Sequence, residues 1–169
     1  MSNTYFIVAQ LIGLEALILL VCSYYKKDTN QILLIQLLAT VCYAIHYIML
    51  DAYSGFLICI IEIIRDFNYY KTNKDKYIFF FSIPIYTVFG VLMCRSFWDT
   101  LPLCASLVDG YSLTKQKKWV VVGSIASHIL WIIYDYNVKS YSGIATCIFV
   151  IFSDIYVLFL ENKKKSKRK

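Results

Sequence analysis

Charge is what this sequence is shortest of. Asp, Glu, Lys and Arg make up 17 % of the 169 residues, where about 25 % is usual for a soluble domain. Against that stand 59 % of AVILMFWYC and a mean hydropathy of +0.59. A water-facing fold of this size has too little interior to hide so much apolar surface, and the same apolar content excludes disorder. The phosphate-cradling P-loop, the Gly-rich dinucleotide turn and the nucleophile elbow are all missing, so the chain has no ATPase of its own to drive work. Six cysteines are scattered with no Cys-x-x-Cys pair and no His at ligand spacing. Neither a metal site nor a structural disulfide is expected from them. A net charge of +6 looks basic, but it comes largely from the tail 163–169, so nucleic acid is not an expected partner.

What is present are apolar stretches close to the length that crosses a bilayer, about 20 residues of helix. They cover 5–24, 31–50, 53–70, 77–93, 98–113, 118–136 and 141–160. The stretches are apolar on all sides and do not alternate, which implies helices and not a barrel. The fifth is short and carries Pro102 and Asp109; the fourth carries Pro84. Residues 1–4 are too few and too uncharged for a signal-peptide leader, so the first stretch is expected to remain in the mature protein.

Lysine and arginine set an orientation. The loops after stretches 1, 3 and 5 and the C-terminal tail hold fourteen cations, and the alternate loops hold two, Arg95 and Lys139. This bias places the N-terminus outside and the C-terminus in the cytoplasm. Tyr24, Tyr25, Tyr53, Tyr70, Trp98, Trp119, Tyr136 and Tyr141 fall at the edges of the stretches, where an interfacial aromatic belt is expected.

The chain also matches itself at an offset of 88. Tyr53-Ser54-Gly55 falls on Tyr141-Ser142-Gly143, Cys59-Ile60 on Cys147-Ile148, Ile63 on Ile151 and Asp66 on Asp154, seven identities in fourteen positions. Upstream, Tyr43 meets Trp131. The expected fold is therefore an all-α integral membrane protein of seven transmembrane helices, two parallel three-helix repeats joined by a linker helix. The first repeat covers 1–70, the linker loop and helix 4 cover 71–94, the second repeat covers 95–161, and 162–169 is a basic cytoplasmic tail. An unpaired middle helix restores the orientation that a three-helix unit inverts. Parallel repeats of this kind occur in transporters, with the substrate site between them.

The segment 36–66, QLLATVCYAIHYIMLDAYSGFLICIIEIIRD, resembles the YgjV-type bacterial inner-membrane protein family through His46-Tyr47, Leu50, Ala52, Gly55 and Arg65. At a greater distance the three-one-three layout is similar to the SWEET sugar facilitators, the PQ-loop proteins and the PnuC vitamin transporters. The chain lacks the Pro-Gln pair and has few hinge prolines. The resemblance implies residence in the bacterial inner membrane and a compact carrier that passes a small polar solute by alternating access.

Ionisable groups within membrane helices are costly and must face the interior. Glu15, Gln36, Glu62, Asp109, His128 and Asp154 are the candidate lining of a substrate pathway. Arg65 and Asp66 are candidates for a salt bridge or a gate, Asp66 together with Asp154 across the repeat. Gly55, Cys59, Ile63 and Asp66, with their counterparts Gly143, Cys147, Ile151 and Asp154, each form one helical stripe. The expected function is transport of a small polar metabolite such as a sugar, nucleoside or vitamin, by a uniporter or a proton-coupled carrier. The alternative is a scaffold whose polar network only fixes packing. No catalytic residue, cofactor or metal ligand is expected. The expected partners are the lipid bilayer, the solute, and anionic lipid at the basic tail.

Overall fold

The computed structural model describes residues 3–26, 28–72, 82–88, 94, 96–115 and 117–166. Among these residues there are seven helical segments and no strand. They are α1 (Asn3–Tyr24), α2 (Thr29–Met49), α3 (Tyr53–Thr72), α4 (82–88), α5 (Phe97–Leu113), α6 (Lys117–Val138) and α7 (Tyr141–Ser166). Most of the fourth expected stretch, 77–93, lies outside the described residues apart from α4. The helix α3 runs to Thr72, and α7 continues through the first lysines of the tail to Ser166.

Among the described residues, four helices are long and apolar enough to cross a membrane: Asn3–Tyr24, Asn30–Met49, Lys118–Val138 and Tyr141–Phe159. The helix α3 has 20 residues, about 30 Å of helix, but Glu62, Arg65, Asp66 and Lys71 dilute its apolar character. The helix α5 has 17 residues and contains Pro102.

The helices close into a ring. In order round it, α1 packs on α2, α2 on α3, α3 on α5, α5 on α6, α6 on α7, and α7 back on α1. The segment α4 joins through Tyr86, which is fully buried against Ile58 and Ile61 of α3. The reason lies in how residue types are distributed. On α1 the buried stripe is Ala9, Gly13 and Ala16, while Ile7, Leu11, Leu14 and Ile18 face outward. Small residues let helix backbones approach closely when apolar burial gives no drive for association. Elsewhere His46, Asp135 and several serines share the interior with apolar residues such as Ile58, Ile61, Leu101 and Val150, while many Leu, Ile, Val and Phe side chains are exposed. An exterior this apolar is not expected in water and suits a lipid surround.

Two tight corners shape one end of the ring. Between α2 and α3, Asp51 adopts φ 58°. The Ala52 N–H donates to the Tyr47 carbonyl at 3.0 Å and the Asp51 N–H to the Ile48 carbonyl at 3.2 Å. This is a Schellman ending with a non-glycine residue in the left-handed position. Between α6 and α7, Lys139 has φ 60°, Ser140 donates to the Asp135 carbonyl at 2.8 Å, and Lys139 donates to the Tyr136 carbonyl at 3.4 Å. The Ala52 and Ser140 carbonyls then accept the first bonds of α3 and α7, from Phe56 and Ile144. Every bond at the first corner has its equivalent 88 residues on.

Candidate functional site

The corners bring polar side chains to one end of the ring, where α1 tethers the start of α7 and α5 that of α3. On α1, Gln10 Oε1 accepts from the Ser142 N–H at 3.0 Å and its hydroxyl at 3.1 Å, and Gln10 Nε2 donates to the Lys139 carbonyl at 2.9 Å. On α5, Asp99 Oδ1 accepts from the Ser54 hydroxyl at 2.9 Å. The Ser142 bond satisfies a first-turn N–H of α7 that would otherwise be bare; the Asp99 bond fixes the Ser54 side chain at the start of α3. His46 is wholly buried. Its Nδ1 lies 2.6 Å from the Ala9 carbonyl and its Nε2 2.8 Å from Ser140 Oγ. A carbonyl only accepts, so Nδ1 carries the proton and in the neutral ring Nε2 accepts from Ser140. At the position 88 residues later, the Tyr134 hydroxyl takes the Gly55 N–H at 2.9 Å and shares a 2.9 Å hydrogen bond with Ser54.

Gly55 and Gly143 make these approaches possible. A side chain at Gly55 would meet Tyr134 Cε1 at 2.9 Å and Tyr47 Cγ at 3.1 Å. One at Gly143 would meet Asp135 Oδ2 at 2.5 Å, and Ser140 nearer still. The Ser-Gly pairs of the sequence repeat therefore sit where α3 and α7 press against α6 and α2.

Below the corners lies a central cavity of about 160 Å³. Among the described residues α2 and α6 do not pack backbone to backbone; side chains bridge the gap. Tyr47 donates to Asp135 Oδ1 at 2.8 Å, and its ring stacks on Trp131 at 5.6 Å with 20° between planes. Tyr43 donates to Thr146 of α7, which in turn donates to the Ser142 carbonyl at 3.0 Å. Eight of the twelve lining residues fall into four pairs separated by 88: Thr40 with His128, Tyr43 with Trp131, Tyr47 with Asp135, and Cys59 with Cys147. Glu62, Gly143 and Thr146 complete its polar and small-residue lining, and Leu20 of α1 its apolar side.

Of the expected pathway residues, Glu62 and His128 line this cavity. Glu62 accepts from the Ser106 hydroxyl of α5, and His128 Nδ1 donates to the Ser124 carbonyl at 2.7 Å. Arg65 Nε donates to Asp66 Oδ1 at 2.8 Å, as the salt-bridge expectation has it. Its charge also acts on Glu62 and Asp109, while Asp109 and Asp154 act on one another and on His128. The charged candidates of α3, α5, α6 and α7 thus form one cluster on the far side of the cavity from the corners. Two candidates stand apart. Glu15 is exposed on the outer surface of α1, and half-buried Gln36 contributes its carbonyl to Thr40 without lining the cavity.

Asp135 escaped the sequence reading. It lies one residue before the interfacial Tyr136, where a helix-end charge is ordinary. It is instead fully buried at the cavity wall. Tyr47 enters the sequence reading only as part of the family resemblance, not as a cavity residue, since it and Asp135 are not alike. The signal was available in the offset itself: Tyr47 and Asp135 are 88 apart, four residues beyond the Tyr43 and Trp131 pair.

No curated protein and no solved structure matches the chain. Residues 7–164, however, match the model of the Imp-YgjV family, described as bacterial inner membrane protein. The match spans the six ring helices and both corners, and the chain belongs to that family of bacterial inner-membrane proteins.

Proposed function

We propose that this chain is a seven-span carrier of a small polar solute, with its path through the centre of the ring. In this reading α1–α3 and α5–α7 are parallel repeats and α4 belongs to the connector between them. The observation that carries it is the cavity whose wall is made of four residue pairs 88 apart. A site on the axis between two like-facing units is where such transporters bind substrate. The lysine bias speaks for an outside N-terminus and a cytoplasmic C-terminus. It puts the corners at the outer face and the Glu62–Arg65–Asp66–Asp109–Asp154 cluster toward the cytoplasm. The lysines of the tail then meet anionic lipid.

Reconstitution of the purified chain in vesicles tests this. Time-dependent, saturable uptake of one solute from a panel of sugars, nucleosides, vitamins and amines is the expected result; vesicles as tight as protein-free ones for every solute would remove the reading. Replacing Asp66 and Asp154 together by Asn is expected to change the uptake rate while folded protein is still recovered. A scaffold is the second reading. It is favoured by the corner network, where His46, Gln10 and Tyr134 are each held by two or more hydrogen bonds. A scaffold would give vesicles that move nothing.

A further inference from the structure

The central cavity is lopsided in charge. Two carboxylates, Glu62 and Asp135, line it, and no lysine or arginine does. The groups bonded to Asp135 are neutral, among them the Tyr47 hydroxyl at 2.8 Å, the Cys147 thiol at 3.9 Å and the Ser140 hydroxyl. Arg65, the ion-pair partner of Asp66, lies outside the lining. A buried carboxylate away from water is costly until a cation joins it.

The rest of the wall is of a kind that favours cations. Tyr43, Tyr47 and Trp131 contribute three aromatic rings, and ring faces attract ammonium groups while repelling anions. Hydroxyls of Thr40 and Thr146 add neutral acceptors. A cavity of about 150 Å³ holds a six-carbon ring, so one of about 160 Å³ fits a comparably small molecule.

We propose that the central cavity binds a small organic ammonium ion, with Asp135 as its counter-charge and Tyr43, Tyr47 and Trp131 as its aromatic wall. That the ion is also moved across the membrane rests on the carrier reading; that it binds does not.

The test uses the full chain in lipid nanodiscs, followed by tryptophan fluorescence and calorimetry. The probes are choline, tetramethylammonium and ethanolamine, with the neutral carbon isostere of choline, 3,3-dimethylbutan-1-ol, and NaCl as comparisons. At least one ammonium probe is expected to bind saturably, and choline at least tenfold more tightly than its isostere. Asp135→Asn is expected to weaken binding at least tenfold. Trp131→Leu, which leaves the hydrogen-bond network intact, is expected to weaken it severalfold and keeps the test decisive if the Asp135 variant does not fold. Equal binding of the isostere, the same response to NaCl alone, or no binding of any ammonium probe overturns the proposal. Vesicle flux separates the two readings. A bound ammonium ion that is not moved leaves this site standing and removes the carrier. Uptake of a sugar by a protein that binds no ammonium ion does the reverse.

Discussion

The corner joining α2 to α3 and the corner joining α6 to α7 share a backbone and differ in chemistry. Both end a helix with a left-handed residue, Asp51 or Lys139, and both start the next with a Tyr-Ser-Gly run. Above that common turn the side chains part. His46 reaches outward to α1 and the second corner, whereas Tyr134, 88 residues later, reaches α3. Tyr47 and Asp135 occupy equivalent positions and meet each other. Two identical residues meeting there would be two aspartates that repel or two tyrosines that share one weak bond. One of each gives a hydroxyl-to-carboxyl hydrogen bond at 2.8 Å. The difference at these positions therefore completes the interior, while the glycines and turns common to both corners keep the geometry in which it works.

Four experiments sharpen or break that comparison. The largest effect is expected at the glycines. Gly143→Ala drives a methyl group into Asp135 and Ser140, and folded protein is expected to fall steeply, by about 3 kcal/mol in stability, with Gly55→Ala somewhat milder because rings can slide. Size-exclusion profiles and thermal unfolding in detergent measure both; tolerance at both sites would mean that the halves do not press together as described. Next comes His46→Ala, which removes two buried hydrogen bonds and leaves a hole. It is expected to cost about 3 kcal/mol, against about 1 kcal/mol for Tyr134→Phe, which keeps its ring in place. A reversed order would show that the second corner, not the first, anchors the end of the ring.

A double-mutant cycle of Tyr47→Phe and Asp135→Asn is expected to give a coupling of about 1–2 kcal/mol. A coupling of zero would say that the two groups do not meet in solution. The smallest effect is a gain. Lys139→Gly relieves a left-handed lysine and is expected to stabilise by about 1 kcal/mol. Asp51→Gly gains less, because aspartate tolerates that conformation better than lysine. Unfolding midpoints that move equally for both, or downward, would argue that the two corners carry different strain from that read here.

The helices were legible because a continuous apolar run needs no knowledge of the rest of the chain. Their ends at the two corners were nearly so, since Tyr53 and Tyr141 open both a repeat identity and a helix. The site was legible only in part. Glu62, on one helical face with Arg65 and Asp66, and His128, near the middle of an apolar helix, stood out as polar groups within the spans, and both reach the cavity. Glu15 stood out for the same reason and faces outward, because one helix alone does not reveal which side its neighbours cover. Asp135 lies near a helix end, where charge is ordinary, and its counterpart Tyr47 differs from it in type, so neither composition nor repeat identity marks the pair.

The sequence by itself determined that the chain is helical, apolar on its outside and internally repetitive, because each of these is a property of composition or periodicity along the chain. Only the tertiary structure decided which polar residues share a space. The closing of α1 onto α7 and of α3 onto α5 turned positions 88 residues apart into neighbours across one cavity. Contacts between residues that far apart depend on the ring as a whole, and no local pattern encodes them.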